Sequence, residues 1–174
     1  MPTMIRNRIL LSALVICTLS GCGYHLTNSP AGRKHTFQNV WIPFFGNESI
    51  SPTAQTALRR AFYDEIHALR GLNPAESQET AGLSMKAKIV SYSTAAVSYN
   101  AKDEVREYKL SLTVELEACK KGELLPIWKG QLQGSRQYPA NLDIALQRNA
   151  EDQALDAAAR ILAQKFITAI EESY

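Results

Sequence analysis

Between Tyr108 and Ala118 apolar and polar residues alternate without a break. Tyr108, Leu110, Leu112, Val114, Leu116 and Ala118 fall on one side, with Lys109, Ser111, Thr113, Glu115 and Glu117 on the other. A period of two held over that length predicts a strand with one face on a core and the other toward water or a partner. Leu83, Met85, Ala87 and Ile89 alternate in the same way with Ser84, Lys86 and Lys88. Ile89-Val90 breaks the phase as a bulge would, and Tyr99 is the far limit of this strand. Asn100-Ala101-Lys102-Asp103 is the polar turn between the two strands. Lys120-Lys121-Gly122 turns the chain again, and Trp128, Gly130 and Leu132 alternate with Lys129, Gln131 and Gln133 in a third strand. An earlier β-branched and aromatic run, Val40 to Phe45, predicts a first strand. Pro43 cannot donate to a ladder, so that strand lies at an edge or bulges there. Gly46-Asn47-Glu48 follows as a turn.

Two stretches have the helical period instead. Ser51-Pro52 offers a side-chain oxygen for the N-cap and a proline for the first turn. Ala54, Leu58, Ala61, Phe62, Ile66 and Leu69 then recur at helical spacing, and Gly71 is placed to end the helix. Leu72 to Ala81 reads as a loop around Asn73-Pro74. From Leu142 to Ser173, an apolar stripe contains Leu146, Ala150, Ala154, Leu155, Ala158, Leu162, Phe166 and Ile170. That is an amphipathic helix roughly 48 Å long at 1.5 Å per residue. The order β-α-β-β-β-α predicts an α+β fold. It is a two-layer sandwich with two helices packed on a four-stranded, mostly antiparallel sheet, forming one domain over residues 39–174.

The N-terminus follows neither pattern. Arg6 and Arg8 precede the apolar run Ile9 to Leu19, which is too short to span a bilayer permanently. Leu19-Ser20-Gly21-Cys22 closes it and resembles a lipobox, the cleavage and lipidation motif of bacterial lipoproteins. The resemblance makes residues 1–21 a signal peptide and residues 22–38 a lipidated tether. Cys22, as the first mature residue, would carry a diacylglyceryl thioether and an N-acyl chain such as palmitate. Three acyl chains hold a protein on a membrane essentially permanently, where one does not. Residue 23 is glycine, not the aspartate that commonly retains lipoproteins in the inner membrane. The expected address is therefore the periplasmic side of the outer membrane.

Charge and cysteines narrow the remaining choices. The formal net charge of +2 comes from the leader, since Arg6 and Arg8 are two of the 19 Lys and Arg that stand against 17 Asp and Glu. A mature chain with no net charge gives no general argument for nucleic-acid binding. Of the three cysteines, Cys17 leaves with the leader and Cys22 is lipidated, so Cys119 has no intrachain partner and reads as a small strand residue. A catalytic site is hard to find. His25 and His35 lie in the tether, and Asp64 and His67 lie three apart on a helix as a surface pair or, at most, two metal ligands. Ser135 after Gly134 has no histidine nearby, and neither a P-loop nor a zinc-protease motif occurs. The expectation is a protein that is not an enzyme and has no cofactor beyond the lipid on Cys22. Lys86 and Lys88 share one strand face, which Lys109 and Lys129 join from neighbouring strands. That face is either solvated or an anion-binding surface suited to acyl-sugar phosphates.

Cys22-Gly23-Tyr24-His25-Leu26 resembles the start of the LptE family of lipopolysaccharide-assembly lipoproteins. Val40, Ile42, Pro43, Phe45 and Asn47 match the family's first-strand pattern, and Glu107-Tyr108, the Trp128 strand and the terminal helix also fit. The resemblance implies two helices on a four-stranded sheet and a non-enzymatic role. It implies a protein seated inside the β-barrel of an LptD-type partner, binding lipopolysaccharide and helping to place it in the outer leaflet. Basic residues near the middle turn and at the head of the last helix serve lipopolysaccharide in that family. Arg148 matches the second position; at the first stands Asn100, with Lys102 two residues later. An alternative of similar build is an outer-membrane lipoprotein that activates a peptidoglycan synthase, although such activators usually have a longer tether.

Overall fold

A computed structural model describes residues 37–69 and 72–173. The leader, Cys22, His25, His35 and Gly71 lie outside the described residues. Three long strands dominate: β4 (Leu83–Tyr99), β5 (Val105–Lys120) and β6 (Trp128–Pro139). They are antiparallel, with Leu83 opposite Lys120 and Ala118 opposite Trp128. The bulge expected at Ile89-Val90 is present as a register shift between Ile89 and Ser91. Beyond it Tyr92, Thr94 and Ala96 take over the inward positions, opposite Leu112, Leu110 and Tyr108.

The rest of the sheet corrects the four-stranded expectation. The Val40 to Phe45 run is broken into β1 (Asn39–Trp41) and β2 (Gly46–Asn47), both parallel to β4. Seven residues from Val40 to Gly46 face six from Leu83 to Lys88, so one residue is extruded around Pro43, which cannot donate to the ladder. Gly46-Asn47 is thus strand rather than turn. A further short strand, β3 (Asn73–Pro74), lies in the stretch read as loop and pairs parallel with β1. The sheet therefore has six strands of mixed direction, ordered β3-β1-β4-β5-β6 with β2 also on β4.

Helix α1 (Ala54–Tyr63) starts later than Ser51-Pro52 suggests. The Ser51 hydroxyl meets the Thr53 hydroxyl at 3.3 Å, and Asn47 Nδ2 donates to Ser51 O at 2.9 Å. The expected cap is engaged in the preceding turn, and Thr53 sits at the N-cap position without a side-chain bond to the helix amides. A wider π turn, Asp64–Leu69, continues α1. Helix α2 (Ile144–Glu171) has the stronger start, with Asp143 Oδ1 accepting from the amides of Ala145 (2.8 Å) and Leu146 (3.1 Å).

Both helices cover one face of the sheet, where the even-numbered residues Leu110 to Ala118 are fully buried. Phe62 joins the layers, edge-on to Phe45 and to Phe166 at 5.5 Å each, and Phe166 meets Trp128 at 5.3 Å. Gly134 lets α2 lie down on β6. A Cβ there would stand 2.3 Å from Ala158 O and 2.9 Å from Leu162 Cγ. Leu146, expected in the stripe, is 57 % exposed, because α2 first touches the core at Ala150 and is buried in it from Ala154 onward. Among the described residues, no helix is long and apolar enough to cross a membrane.

Candidate functional site

The uncovered face of β4, β5 and β6 has its side chains in rows that the register defines. Lys86, Glu117 and Lys129 share one row, and Lys88, Glu115 and Gln131 the next. Lys129 Nζ lies 2.5 Å from the Glu117 carboxylate, and Lys86 Nζ lies 3.8 Å from it. Lys88 Nζ is 3.2 Å from Glu48 and 3.6 Å from Glu115. Hydrogen bonding to these carboxylates raises the Lys88 and Lys129 ammonium groups above their ordinary values, and the bond from Lys129 lowers the Glu117 carboxyl. Three lysines thus stand against Glu48, Glu115 and Glu117, and the patch is neutral overall. Lys109 is not among them. It lies in the row of Ala95 and Gln137, six residues along β5 from Glu115 or about 20 Å at 3.3 Å each.

Between those charged rows lie two that contain no charge. Ser91, Thr113 and Gln133 form one, and Ser93, Ser111 and Ser135 the other. These hydroxyl and amide groups are exposed or half-buried, with the leucines and valine of β5 turned to the opposite face. Ser135 is thus one of a hydroxyl cluster in the open. The alternation in β5 and the bulge in β4 were visible in the sequence, but the matching rows of β4 and β6 depend on a register between strands that no local pattern gives.

Lys102 and Arg148 lie toward the same end of the body. Lys102 is exposed in a turn organised by Asn100, whose Oδ1 accepts from the amides of Lys102 (2.8 Å) and Glu104 (3.0 Å). Asp103 adopts φ 59° there. Arg148 is exposed on α2 one turn before Glu151, which accepts a hydrogen bond from Tyr92 Oη. Tyr92 pairs with Leu112, and Lys102 lies in the turn beyond Val105, which is seven residues further out along β5, so the two cations differ in height by ~20 Å. One phosphate cannot bridge them; a ligand with separated charges can reach both. Exposed apolar side chains stand at this end too: Val97, Tyr99, Leu142, Ile144 and Leu146.

Asp64 and His67 do not pair. The His67 ring packs 5.0 Å from Tyr63 and its Nδ1 meets Leu72 O, while Nε2 is buried without a partner. Among the described residues, no group of three or more His, Cys, Asp or Glu is placed to hold a metal ion. Cys119 is half-buried opposite Ser84, whose hydroxyl donates to Cys119 O at 3.3 Å. Arg59, which the sequence did not single out, lies over both the Phe44 ring (4.6 Å) and the Tyr63 ring (4.9 Å) in an open groove on α1.

A family model, LptE, described as lipopolysaccharide-assembly, matches residues 37–170. The chain belongs to the LptE family. The match spans β1 through most of α2, so both the charged rows and the uncharged rows lie within the family's domain. A search of curated sequences finds no match. Among solved structures, the rare lipoprotein B of Shewanella oneidensis superposes with a TM-score of 0.54 at 13% identity, covering 78% of this chain and 95% of that one. A hypothetical protein of Chlamydia trachomatis gives 0.53 at 11% identity, over 76% and 95% of the two chains. A protein of Xanthomonas campestris gives 0.51 at 12%, over 83% and 92%. At such identities these likenesses establish the shared fold of the LptE domain.

Proposed function

We propose that this LptE-family chain is an outer-membrane lipoprotein, anchored through Cys22 in the inner leaflet. It seats its body in the lumen of an LptD-type β-barrel and helps pass lipopolysaccharide to the outer leaflet. The two uncharged rows on the open sheet face are the observation that carries this reading. A barrel lumen is lined by polar side chains. Neutral hydroxyls and amides can be desolvated against such a wall at far lower cost than ions, and each can donate or accept as the wall requires. The body acts as partner and plug rather than as an enzyme. Lys102 and Arg148 are the residues assigned to lipopolysaccharide, as two separate phosphate contacts on one large ligand.

Purification of the tagged chain in mild detergent tests the partner. A one-to-one complex with a large β-barrel is expected, and recovery of a penicillin-binding protein without a barrel would favour a synthase activator. The lipid anchor is tested by Cys22→Ala, which should abolish palmitate labelling and outer-membrane recovery. For the ligand, Lys102→Asp with Arg148→Asp should weaken lipopolysaccharide binding tenfold or more, and added salt should weaken wild-type binding too. Unchanged affinity in the folded double variant would remove both residues from the site.

A further inference from the structure

The β5–β6 connection presents two leucines to open solvent: Leu124 is 103% exposed and Leu125 77%. Its base is built. Glu123 N donates to Lys120 O (3.1 Å), Ile127 N donates to Ala118 O (2.8 Å), and Gly122 takes the left-handed φ of 83° that the turn requires. Ile127 packs against the core, whereas the two leucines at the tip do not. Two neighbouring leucines held in water by an ordered turn need a reason.

Their position supplies one. Lys121 N donates to Gly82 O at 3.0 Å, and Gly82 N donates to Asn39 Oδ1 at 2.7 Å. Asn39 begins β1, and sixteen residues separate it from Cys22 in the sequence. Leu124 is three residues beyond Lys121, within about 10 Å along the chain. The leucines therefore stand at the end of the body where the N-terminal chain enters it.

We propose that Leu124 and Leu125 insert into the phospholipid leaflet that holds the acyl chains of Cys22, giving the body a second membrane contact that sets its orientation. This rests on the lipid anchor of the proposed function. A link of this length holds the loop near the leaflet at an effective concentration in the millimolar range. A contact too weak to recruit a free protein is then occupied. The contact is apolar, not electrostatic, because the two leucines at the tip carry no charge and Lys120 at the base is paired with Glu123 at 3.3 Å. Anionic lipid should add nothing to it.

The test uses the full lipidated chain in phosphatidylcholine vesicles. Flotation with the vesicles establishes the anchor. A spin label at Leu124→Cys, in a Cys119→Ser background, should then be several-fold more accessible to oxygen than to a water-soluble nickel chelate. A label at Lys102→Cys, on the opposite end, should show the reverse. Without labels, exchange of the amides over 121–127 should be several-fold slower in the wild type than in Leu124→Gln/Leu125→Gln, with equal exchange elsewhere. A floating protein whose label at 124 is as open to nickel as the label at 102 overturns the inference while leaving the anchor standing. Protection of the loop only after a barrel partner is added overturns it too, in favour of a protein contact. A chain that fails to float overturns the anchor and the inference together.

Discussion

The two faces of β4, β5 and β6 come from the same strands and the same alternation, yet they are built to opposite rules. The helix-covered face is filled by shape. Leu110, Leu112, Val114 and Leu116 have no accessible surface worth counting, and at Gly134 even a methyl group has no room. The open face is organised by chemistry, with charged rows at Lys86 and Lys88 and a band of serine, threonine and glutamine beside them. A face made merely to stay in water has little reason to exclude charge from its middle, since exposed Lys and Glu are the usual means of solubility. The difference teaches that close packing resides on one side of the sheet; with recognition on the other, as proposed, substitutions on the two sides should separate cleanly.

The largest effect belongs to the covered face. Phe166 is fully buried and touches both Phe62 and Trp128, so Phe166→Ala should cost about 3–5 kcal/mol in chemical denaturation. Gly134→Ala should follow at about 1–3 kcal/mol, because its Cβ meets the Ala158 carbonyl and α2 must lift off β6. A Ser135→Ala change one residue away, on the open face, should barely move the midpoint.

A smaller and pH-dependent effect lies where the covered face opens toward the distal end. Burial, and then the hydrogen bond to Glu151, raises the Tyr92 hydroxyl well above its ordinary value of 10.0; burial also raises Tyr138. A raised folded value favours the protonated phenol in the native state. Its contribution is thus fully present below pH about 10 and is lost as pH rises beyond, where the unfolded chain ionises first. Tyr92→Phe should cost about 1 kcal/mol at neutral pH and flatten the decline measured between pH 9 and 11.

The smallest effect on stability is expected on the open face, where it should be replaced by an effect on binding. Glu115→Gln with Glu117→Gln removes two of the carboxylates that neutralise Lys86, Lys88 and Lys129. The unfolding midpoint should hold, while a salt-sensitive affinity for lipopolysaccharide or another polyanion should appear or increase at this patch. A polyanion that already binds there in the wild type, with unchanged affinity in the variant, would show that the carboxylates do not block the lysines.

Most of the covered face was legible in the sequence, because period-two and helical spacing are local signals. β5, the bulge at Ile89, the extent of β4 and the stripe of α2 from Ala154 to Ile170 all follow from them. What escaped depends on contacts distant in the chain. β3 is a two-residue strand whose only cause is its pairing with β1, and the split at Pro43 requires knowing that both halves lie along β4. The start of α1 was misplaced because Ser51 had a closer partner in Thr53. On the open face the lysines were visible individually. Their neutralisation was not, since Glu48, Glu115 and Glu117 reach them across strands. The uncharged rows needed the register of all three strands.

A photo-crosslinking residue at Ser93 or Ser111, compared with one at Gln164 on the solvent side of α2, tests the central claim most directly. If the uncharged rows lie against a barrel wall, the open-face positions should yield an adduct with a large β-barrel protein in intact cells. The helix position should yield much less of it. A folded, outer-membrane-localised protein that gives no barrel adduct from either Ser93 or Ser111 would contradict the account.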